Sequence, residues 1–398
     1  MLWLLACTAP DGDPPKSEPA DTAEDTDTAQ DTAQDTDTAQ DTDTAENTDA
    51  CDSTCDCPSG DLCYDGACAP ASTDLDVLRG LADRMVAAMD PTTGAFPDEG
   101  AYPTEALSTL ASAAAITCDA GYRDAAEARA AFALSWQDES GILIVPGSPY
   151  AARDYQARQI YLLWTAGHAL EDDALLAAAD AAARGMLDHM ERRPYQDWTL
   201  FCTTFDPSPP YACRAGPWID VNQNAEIGMA YAALWADPAS TLYGDETALD
   251  VAWNELSASV SIQTAQGEIP LTEGDHLTEY DTLYGSYAAS SWALATAWLE
   301  DDAVLEAHVL LASAWLAPYS DGTPETHRTY PSTYDGDVSV AEGSYRIPLL
   351  SHTGAFDPAF VDHWWTLVDE QPGAYYSLVP LTLMERGGVS LGSVVRPR

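Results

Sequence analysis

Basic residues are scarce in this sequence. Lys16 is the only lysine, and the 16 lysines and arginines face 65 acidic residues, for a formal net charge of -49. A nucleic acid needs a basic surface to meet its phosphates, so this charge excludes nucleic acid as a general partner. Anionic lipid surfaces are excluded for the same reason. After the first few residues, no apolar run reaches the roughly 20 residues that span a bilayer.

Short motifs of several large enzyme classes are also missing. The sequence contains no G-x-S-x-G, no H-E-x-x-H and no glycine-rich loop of the phosphate-binding type. These absences argue against a nucleophile-elbow hydrolase, a zinc protease of that motif and a P-loop enzyme. We therefore expect a protein that needs neither a metal nor a cofactor.

The first seven residues read M-L-W-L-L-A-C, and Leu4-Leu5-Ala6-Cys7 resembles the lipobox of bacterial lipoproteins. The resemblance implies that residues 1–7 carry the signal and that Cys7 becomes the lipidated N-terminus. The alternative is an accidental cysteine in a frayed terminus. Thr8, rather than aspartate, follows Cys7, which suits sorting to the outer membrane. We expect anchoring there, on the cell surface or the periplasmic side.

Residues 8–50 form a polar segment of repeated Asp-Thr-Ala-Gln and Asp-Thr-Asp units. The segment has no aromatic and no branched aliphatic residue, so it cannot bury enough apolar area to offset its chain entropy. It is predicted to be a disordered tether. The rest of the chain, from 71 on, still carries 47 acidic residues against 15 arginines, so the globular part is acidic by itself.

Nine cysteines indicate an oxidising compartment. Five of them lie in residues 51–70, whose run C-D-C-P-S-G-D-L-C-Y-D-G-A-C resembles short EGF-like or knottin-like modules. This region is predicted to be a small disulfide module, with a zinc site as the alternative. Five is an odd number, and Cys118 is the leading candidate for the remaining partner. Cys202 and Cys213 flank a proline-rich loop and are predicted to form a second disulfide.

Residues 71–398 are rich in alanine, leucine, tryptophan and tyrosine with helical periodicity. Strand-like runs are short, so the domain is predicted to be all-α. The periodicity and capping signals predict helices near 75–89, 104–117, 123–136, 149–169, 172–190, 221–236, 246–262, 282–299, 302–316, 343–351, 357–369 and 374–386.

A rough repeat runs through these helices. Small-residue helices with an aromatic or amide tag begin near Tyr102, Tyr155, Asn222, Tyr284 and Tyr345, and each interval holds one helix pair. The pattern is similar to the (α/α)6 toroid of six-hairpin glycosidase-like enzymes, over about 300 residues. That resemblance implies six helical hairpins and carbohydrate chemistry. Terpene and lanthionine cyclases are other α/α toroids, but the aspartate-rich and zinc-ligand motifs of those enzymes are not evident.

In such a toroid, the loops that lead into the inner helices line one mouth of the central cavity. Polar and aromatic residues are densest around the helix predicted at 221–236. The candidates there are Trp218, Asp220, Asn222, Asn224 and Glu226. The structural alternative is a capping box, because Asp220 and Gln223 match the D-x-x-Q pattern, which needs no ligand.

Two further loops offer candidates. The first contains His276, Asp281 and Tyr284, and the second, which is long and irregular, leads through Asp337 to Tyr345 and Arg346. Long irregular segments inside a compact domain are often functional. Ordinary turns and helix caps are the alternative for both loops.

Sugars suit this set of residues, because pyranose faces stack on aromatic rings and sugar hydroxyls bind carboxylates and amides. Glycoside hydrolysis needs two carboxylates, and Asp220 or Glu226 is predicted to pair across the cavity with Asp281 or Asp337. The substrate-binding candidates are Trp218, Asn222, Asn224, His276, Tyr284, Tyr345 and Arg346. The chain is therefore predicted to be a monomeric, surface-tethered glycoside hydrolase with a carbohydrate substrate.

Two alternatives stay open. A uronate lyase or epimerase on the same fold would use tyrosine and histidine as base and acid, with arginine on the sugar carboxylate. A non-catalytic lipoprotein that binds a glycan or a partner would show aromatic residues in the cavity but no close pair of carboxylates.

Overall fold

The alanine-rich periodic segments form α-helices at the positions that the sequence predicts. The protein is represented here by a computed structural model, which describes residues 57, 61–64, 67–70, 74–97, 103–149, 151–270, 280–299, 303–320, 327–330, 335–336, 340–353, 355 and 358–370. All of them belong to one compact unit, Thr48–Arg398. The helix predicted at 374–386 lies outside these residues.

The described helices lie within a few residues of their predicted bounds. They are α1 Asp74–Ala88, α2 Pro103–Thr117, α3 Ala120–Leu134, α4 Arg153–Leu170, α5 Asp173–His189, α6 Val221–Ala236, α7 Glu246–Ser261, α8 Thr282–Thr296, α9 Ala303–Leu316, α10 Val340–His352 and α11 Pro358–Glu370.

The helices pack as a toroid of hairpins. Each even-numbered helix from α2 to α10 contacts the next even-numbered one, and these five helices form the inner ring. Helices α3, α5, α7, α9 and α11 follow them as the outer layer. Helix α1 contacts both α2 and α11 and so joins the first and last described hairpins. This arrangement confirms the predicted all-α toroid.

The inner helices are apolar on nearly every side, as their place in the ring requires. In α6, for example, 13 of the 16 residues are buried. Small residues let the layers approach closely. A Cβ on Gly228 would lie 2.4 Å from Cγ of Leu256 on α7, so only glycine permits this contact between α6 and α7.

Short strands surround the helix starts. They are β1 Asp61–Tyr64, β2 Ala67–Pro70, β3 Ala151–Ala152, β4 Arg192–Tyr195, β5 Trp198–Phe201, β6 Thr204–Phe205, β7 Cys213–Ala215, β8 Tyr280–Asp281, β9 His327–Tyr330 and β10 Asp335–Gly336.

Two three-stranded antiparallel sheets stand at the entries to inner helices. In the first, β6 lies between β3 and β7, with Ala151 opposite Phe205 and Thr204 opposite Ala215. Because β3 leads directly into α4 and β7 precedes α6, this sheet ties the entries of two neighbouring inner helices together. In the second sheet, β9 lies between β8, which leads into α8, and β10, which precedes α10.

The predicted Cys202–Cys213 disulfide is present, and it connects β7 with the residue that follows β5. Its 11-residue separation is worth about 3 kcal/mol by loop-closure entropy. We expect Cys202→Ser with Cys213→Ser to lower the free energy of unfolding by that amount, measured by urea denaturation without reductant. If reductant lowered the free energy of unfolding of the wild type and of the double variant by the same amount, the Cys202–Cys213 disulfide would not contribute this stability.

The predicted cysteine module contains the Cys57–Cys68 disulfide and the β1–β2 hairpin. Cys118 is disulfide-bonded too, as predicted, through a partner outside the described side chains. The boundaries of the four predicted segments, 1–7, 8–50, 51–70 and 71–398, stay predictions. Within the described residues, no helix is both long and apolar enough to cross a membrane.

Candidate active site

Five side chains from the five inner helices converge at one level of the ring. Arg158, Glu226, Tyr287 and Tyr345 are each the sixth residue of their helix, and Glu105 is the third residue of α2. Since the inner helices enter the ring from the same end, equal positions along them lie at similar depth. The shared register therefore brings a guanidinium, two carboxyl groups and two phenols together near the mouth.

Arg158 holds the two carboxyl groups. Its Nη1 lies 3.1 Å from Oε1 of Glu105, and its Nη2 lies 2.8 Å from Oε1 of Glu226. The Glu105 side chain is 17% exposed, against 11% for Arg158 and 3% for Glu226. Oε2 of Glu226 is buried and has no hydrogen-bond partner in the described structure. One cation thus faces two buried carboxyl groups, one of which keeps an oxygen available.

Burial sets the protonation of this pair. Burial raises the pKa of Glu105 to about 7, with Arg158 opposing the rise and the neighbouring Glu226 contributing to it. Burial likewise raises the pKa of Glu226, against the attraction of Arg158. Two carboxyl groups on one guanidinium titrate as a coupled pair. Glu105, with a pKa of about 7, can therefore donate or accept a proton near neutral pH.

The raised pKa of Glu105 predicts a pH-dependent stability. The unfolded glutamate ionises near 4.5 and the folded one near 7, so the folded protein binds more protons between these values. The free energy of unfolding therefore falls by about 3 kcal/mol as the pH rises through this window. Glu105→Gln should make the slope in urea denaturation between pH 5 and 8 shallower, leaving the part due to Asp220, whereas Glu127→Gln on the exposed face of α3 should keep the full slope. An unchanged slope in Glu105→Gln would contradict the assignment.

The two tyrosines cover the other side of the cluster. The rings of Tyr287 and Tyr345 lie 3.8 Å apart between centroids, and the Arg158 guanidinium lies 5.8 Å from the Tyr287 ring. Tyr345, a predicted substrate-binding residue, thus stands beside the carboxyl pair. It lies in the buried layer, while Tyr287 is half-buried.

A small cavity of about 10 Å³ lies directly below the carboxyl pair, with room for about one water molecule. Its lining includes Arg158, Glu226, Tyr345 and Ser290. Tyr161, which also lines the cavity, packs with the buried Trp164 and Trp298 in tilted and T-shaped contacts, with ring centroids 5.6–6.3 Å apart.

Asp220, a predicted catalytic residue, stands at the mouth as the N-cap of α6. Burial raises its pKa to about 6, the adjacent Asp154 adds to this, and Arg153 opposes it. The capping box is not completed by Gln223, whose Oε1 instead accepts from Nε of Arg153 at 3.0 Å. The Asp220 N–H is satisfied by Oδ1 of Asn224 at 2.8 Å. Asp220 is therefore a half-buried carboxyl group with a raised pKa.

Asn224, predicted to bind substrate, is engaged within the protein. Its Oδ1 also accepts from Nη2 of Arg153, and its Nδ2 donates to Glu255 on α7. Arg153 donates further to the carbonyls of Phe201 and Trp218. This buried network fixes the loop that carries Trp218 and Asp220. Asn224 is therefore a buried structural residue beneath the site and does not face the opening.

Two aromatic residues flank the mouth. Trp218 is 37% exposed just before α6, and Tyr284 is 39% exposed on the first turn of α8. Asn222 is buried on the first turn of α6. Since α6 and α8 are neighbours in the inner ring, Trp218 and Tyr284 lie at the entries of adjacent inner helices, and their role as substrate contacts stays a prediction.

Arg346 lies away from the opening. It is fully buried, donates to Ser286 and to the Tyr319 carbonyl, and packs over the Phe360 ring. These contacts join α8, α10 and α11, so Arg346 stabilises the packing of these three helices. The remaining predicted residues are His276 and Asp337, which lie outside the described residues, and Asp281, of which only the backbone, in β8, is described.

One group of metal-ligand type occurs among the described side chains, formed by Glu191, Cys202 and Cys213. The two sulfurs are joined in the disulfide. Thiolates are what a zinc site would need, so this group does not fit a metal.

Comparisons with known proteins identify the fold. No protein-family model matches the sequence, and no curated protein matches it. Among solved structures, a cellobiose 2-epimerase from Bacillus thermoamylovorans has a TM-score of 0.58 and 12% identity, over 75% of this chain and 87% of that one. A beta-1,3-1,4-glucanase from a Paenibacillus species has a TM-score of 0.55 and 13% identity, over 83% of this chain and 96% of that one. An endo-1,4-D-glucanase from Vibrio fischeri has a TM-score of 0.53 and 12% identity, over 77% of this chain and 94% of that one. At these identities the likeness establishes the fold.

The sequence pattern missed Glu105 and the pairing role of Arg158. Asp281 and Asp337 were the predicted partners of Glu226, whereas the structure places Glu105 beside it. One signal was available. Once the repeat positions the inner helices, the sixth residue of α4, α6, α8 and α10 reads Arg, Glu, Tyr, Tyr, a polar or aromatic residue at the same position in all four.

Proposed function

We propose that this chain is a carbohydrate-active enzyme, a glycoside hydrolase in which Glu105 and Glu226 are the acid and the base. The observation that carries the proposal is the pair of buried carboxyl groups on one guanidinium near the mouth of a helical toroid. Glycoside hydrolysis uses two carboxyl groups, one protonated and one ionised. A buried pair in which one carboxyl group has a pKa of about 7 suits this division of roles.

The two glutamates differ in a way that assigns their roles. Glu105 is the more exposed, and its pKa of about 7 keeps a substantial protonated fraction at neutral pH. It is placed to donate a proton to the leaving oxygen. Glu226 is deeper and keeps Oε2 unpaired, so it is the carboxylate that activates water or stabilises positive charge at the reacting carbon. Burial raises the pKa of Glu226, and Arg158 opposes this rise and so favours the ionised form.

The surroundings fit a sugar. The exposed rings of Trp218 and Tyr284 offer faces for pyranose stacking, and Asp220 adds a carboxyl group for sugar hydroxyls. The solved toroids of similar fold include a cellobiose 2-epimerase and two glucanases, which are sugar enzymes by name. Their likeness supports a carbohydrate substrate, and the carboxyl pair favours hydrolysis.

A glycan screen tests the proposal. The full chain is incubated with polysaccharides and oligosaccharides, and products are read by reducing-end assay, by absorbance of unsaturated uronates and by NMR. We expect new reducing ends that disappear in Glu105→Gln and Glu226→Gln. Unsaturated products would instead make it a lyase, and a changed configuration without new ends would make it an epimerase. Binding without turnover would make it a glycan-binding protein.

We propose further that the enzyme is displayed at the bacterial outer membrane through a lipid on Cys7, as the lipobox-like residues indicate. In a bacterial host with lipoprotein processing, the chain should incorporate an alkyne-labelled fatty acid and partition into detergent. Cys7→Ser should lose both properties while keeping its activity on soluble glycans. Unchanged labelling in Cys7→Ser would contradict the anchor.

A further inference from the structure

The described arginines near the mouth are engaged with protein groups. Arg158 faces Glu105 and Glu226. Arg153 is fully buried, and its guanidinium donates to two side-chain amides and two backbone carbonyls. Arg346 is fully buried behind the ring. Arg214, half exposed in β7, pairs with Asp206 and donates to the Pro149 carbonyl. Each of these four guanidinium groups already has acceptors within the protein.

The carboxyl groups, in contrast, face the opening. Asp154, Asp220 and Glu105 are half-buried at the N-terminal ends of α4, α6 and α2, and Glu226 lies below them. Helix N-termini carry partial positive charge, but acids in the first turn offset it. The influence of Asp154 on the pKa of Asp220 and of Glu226 shows that these carboxyl groups share one field. At the site, four carboxyl groups therefore stand against the two guanidinium groups of Arg153 and Arg158.

We infer that the site takes an uncharged saccharide and rejects uronic-acid and sulfated sugars. The inference rests on the proposed function and names its substrate class. A sugar carboxylate in this opening would lie a few ångströms from like charges and would find its natural partner, a free guanidinium, already used. The stacking faces of Trp218 and Tyr284 need no charge on the sugar.

The test compares two panels of oligosaccharides with the full chain. The neutral panel contains gluco-, manno-, xylo- and galacto-oligosaccharides, and the acidic panel contains galacturonate, alginate and hyaluronan oligosaccharides. Binding is measured by calorimetry and turnover by product NMR, at low and at high salt. We expect every hit to be neutral. Oxidation of the C6 hydroxyls of a neutral hit to carboxylates should weaken its binding by about 100-fold, because the new charge lies in contact with carboxyl groups of the site. For a hit whose sugars lack C6, sulfation replaces oxidation and should have the same effect.

A charge variant sharpens the test. At pH 8, above the pKa of about 7, Glu105→Gln removes one of the two carboxylates on Arg158, so it should reduce the loss of affinity for the charged form of the hit at least tenfold. Glu127→Gln removes the same charge from the outer face of α3 and should leave the ratio unchanged. Binding of the acidic panel as tight as the neutral one would overturn the inference and leave the proposed function standing. If neither panel binds, the proposed function fails and the inference falls with it.

Discussion

Glu226→Gln is expected to lower turnover of the glycan hit by about a thousandfold. Acid–base catalysis contributes 10²–10⁴-fold, and the glutamine amide keeps the size of the side chain while losing its proton chemistry. KM should change little, because Glu226 is only 3% exposed and lies beneath the sugar. Turnover and KM are measured on the full chain across pH 4–9.

The dependence of turnover on pH also tests Glu105 as the proton donor. Wild-type turnover should fall as the pH rises through about 7, because the proton donor is lost there. Glu105→Gln should lack this alkaline limb. Glu268→Gln, on the loop after α7, is the matched control and should stay within about twofold of wild type. Equal activity of Glu226→Gln and Glu268→Gln would show that the carboxyl pair is not the reacting group.

Arg158→Met is expected to lower the free energy of unfolding at pH 8 by about 3–5 kcal/mol. The substitution leaves two buried carboxyl groups without their cation, and an uncompensated buried charge is strongly destabilising. Equilibrium urea unfolding measures the change. Adding Glu105→Gln and Glu226→Gln to Arg158→Met should restore a large part of the loss, since the triple variant buries no charge at this point.

A surface ion pair provides the control. Arg193 pairs with Glu191 at 2.8 Å, but both side chains are nearly half exposed. Arg193→Met should therefore cost less than about 1 kcal/mol. Similar losses in Arg158→Met and Arg193→Met would mean that Arg158 is not holding buried charge.

The fold was predictable because its determinants are local. Helix bounds such as Val221–Ala236 follow from apolar periodicity and from the turn residues beside it. The spacing of the inner helices followed from their small-residue composition, which a ring of closely packed helices requires. The strands β4, β5 and β7 were not predicted, and β6 only as part of the loop between Cys202 and Cys213, because two- to four-residue strands leave no periodic signal.

The site was predictable only in part, because its contacts are long-range. Arg158 pairs with carboxylates 53 residues before it and 68 residues after it, and no local pattern encodes either distance. Glu226 was identified because it stands in a dense polar run. Asn224 and Arg346 belonged to equally polar runs, yet the structure uses their hydrogen bonds to hold helices together. A polar residue on an inner helix can therefore serve packing alone, as Asn224 and Arg346 do.

Product analysis of the wild type beside Glu226→Gln tests the central claim most directly. Both full chains are incubated with the hit from the neutral panel, and NMR follows the anomeric signals over time. The account predicts new reducing ends from the wild type and about a thousandfold fewer from Glu226→Gln, with both proteins folded and both binding the sugar. Equal product from the two proteins would contradict the claim that the carboxyl pair on Arg158 is the catalytic centre.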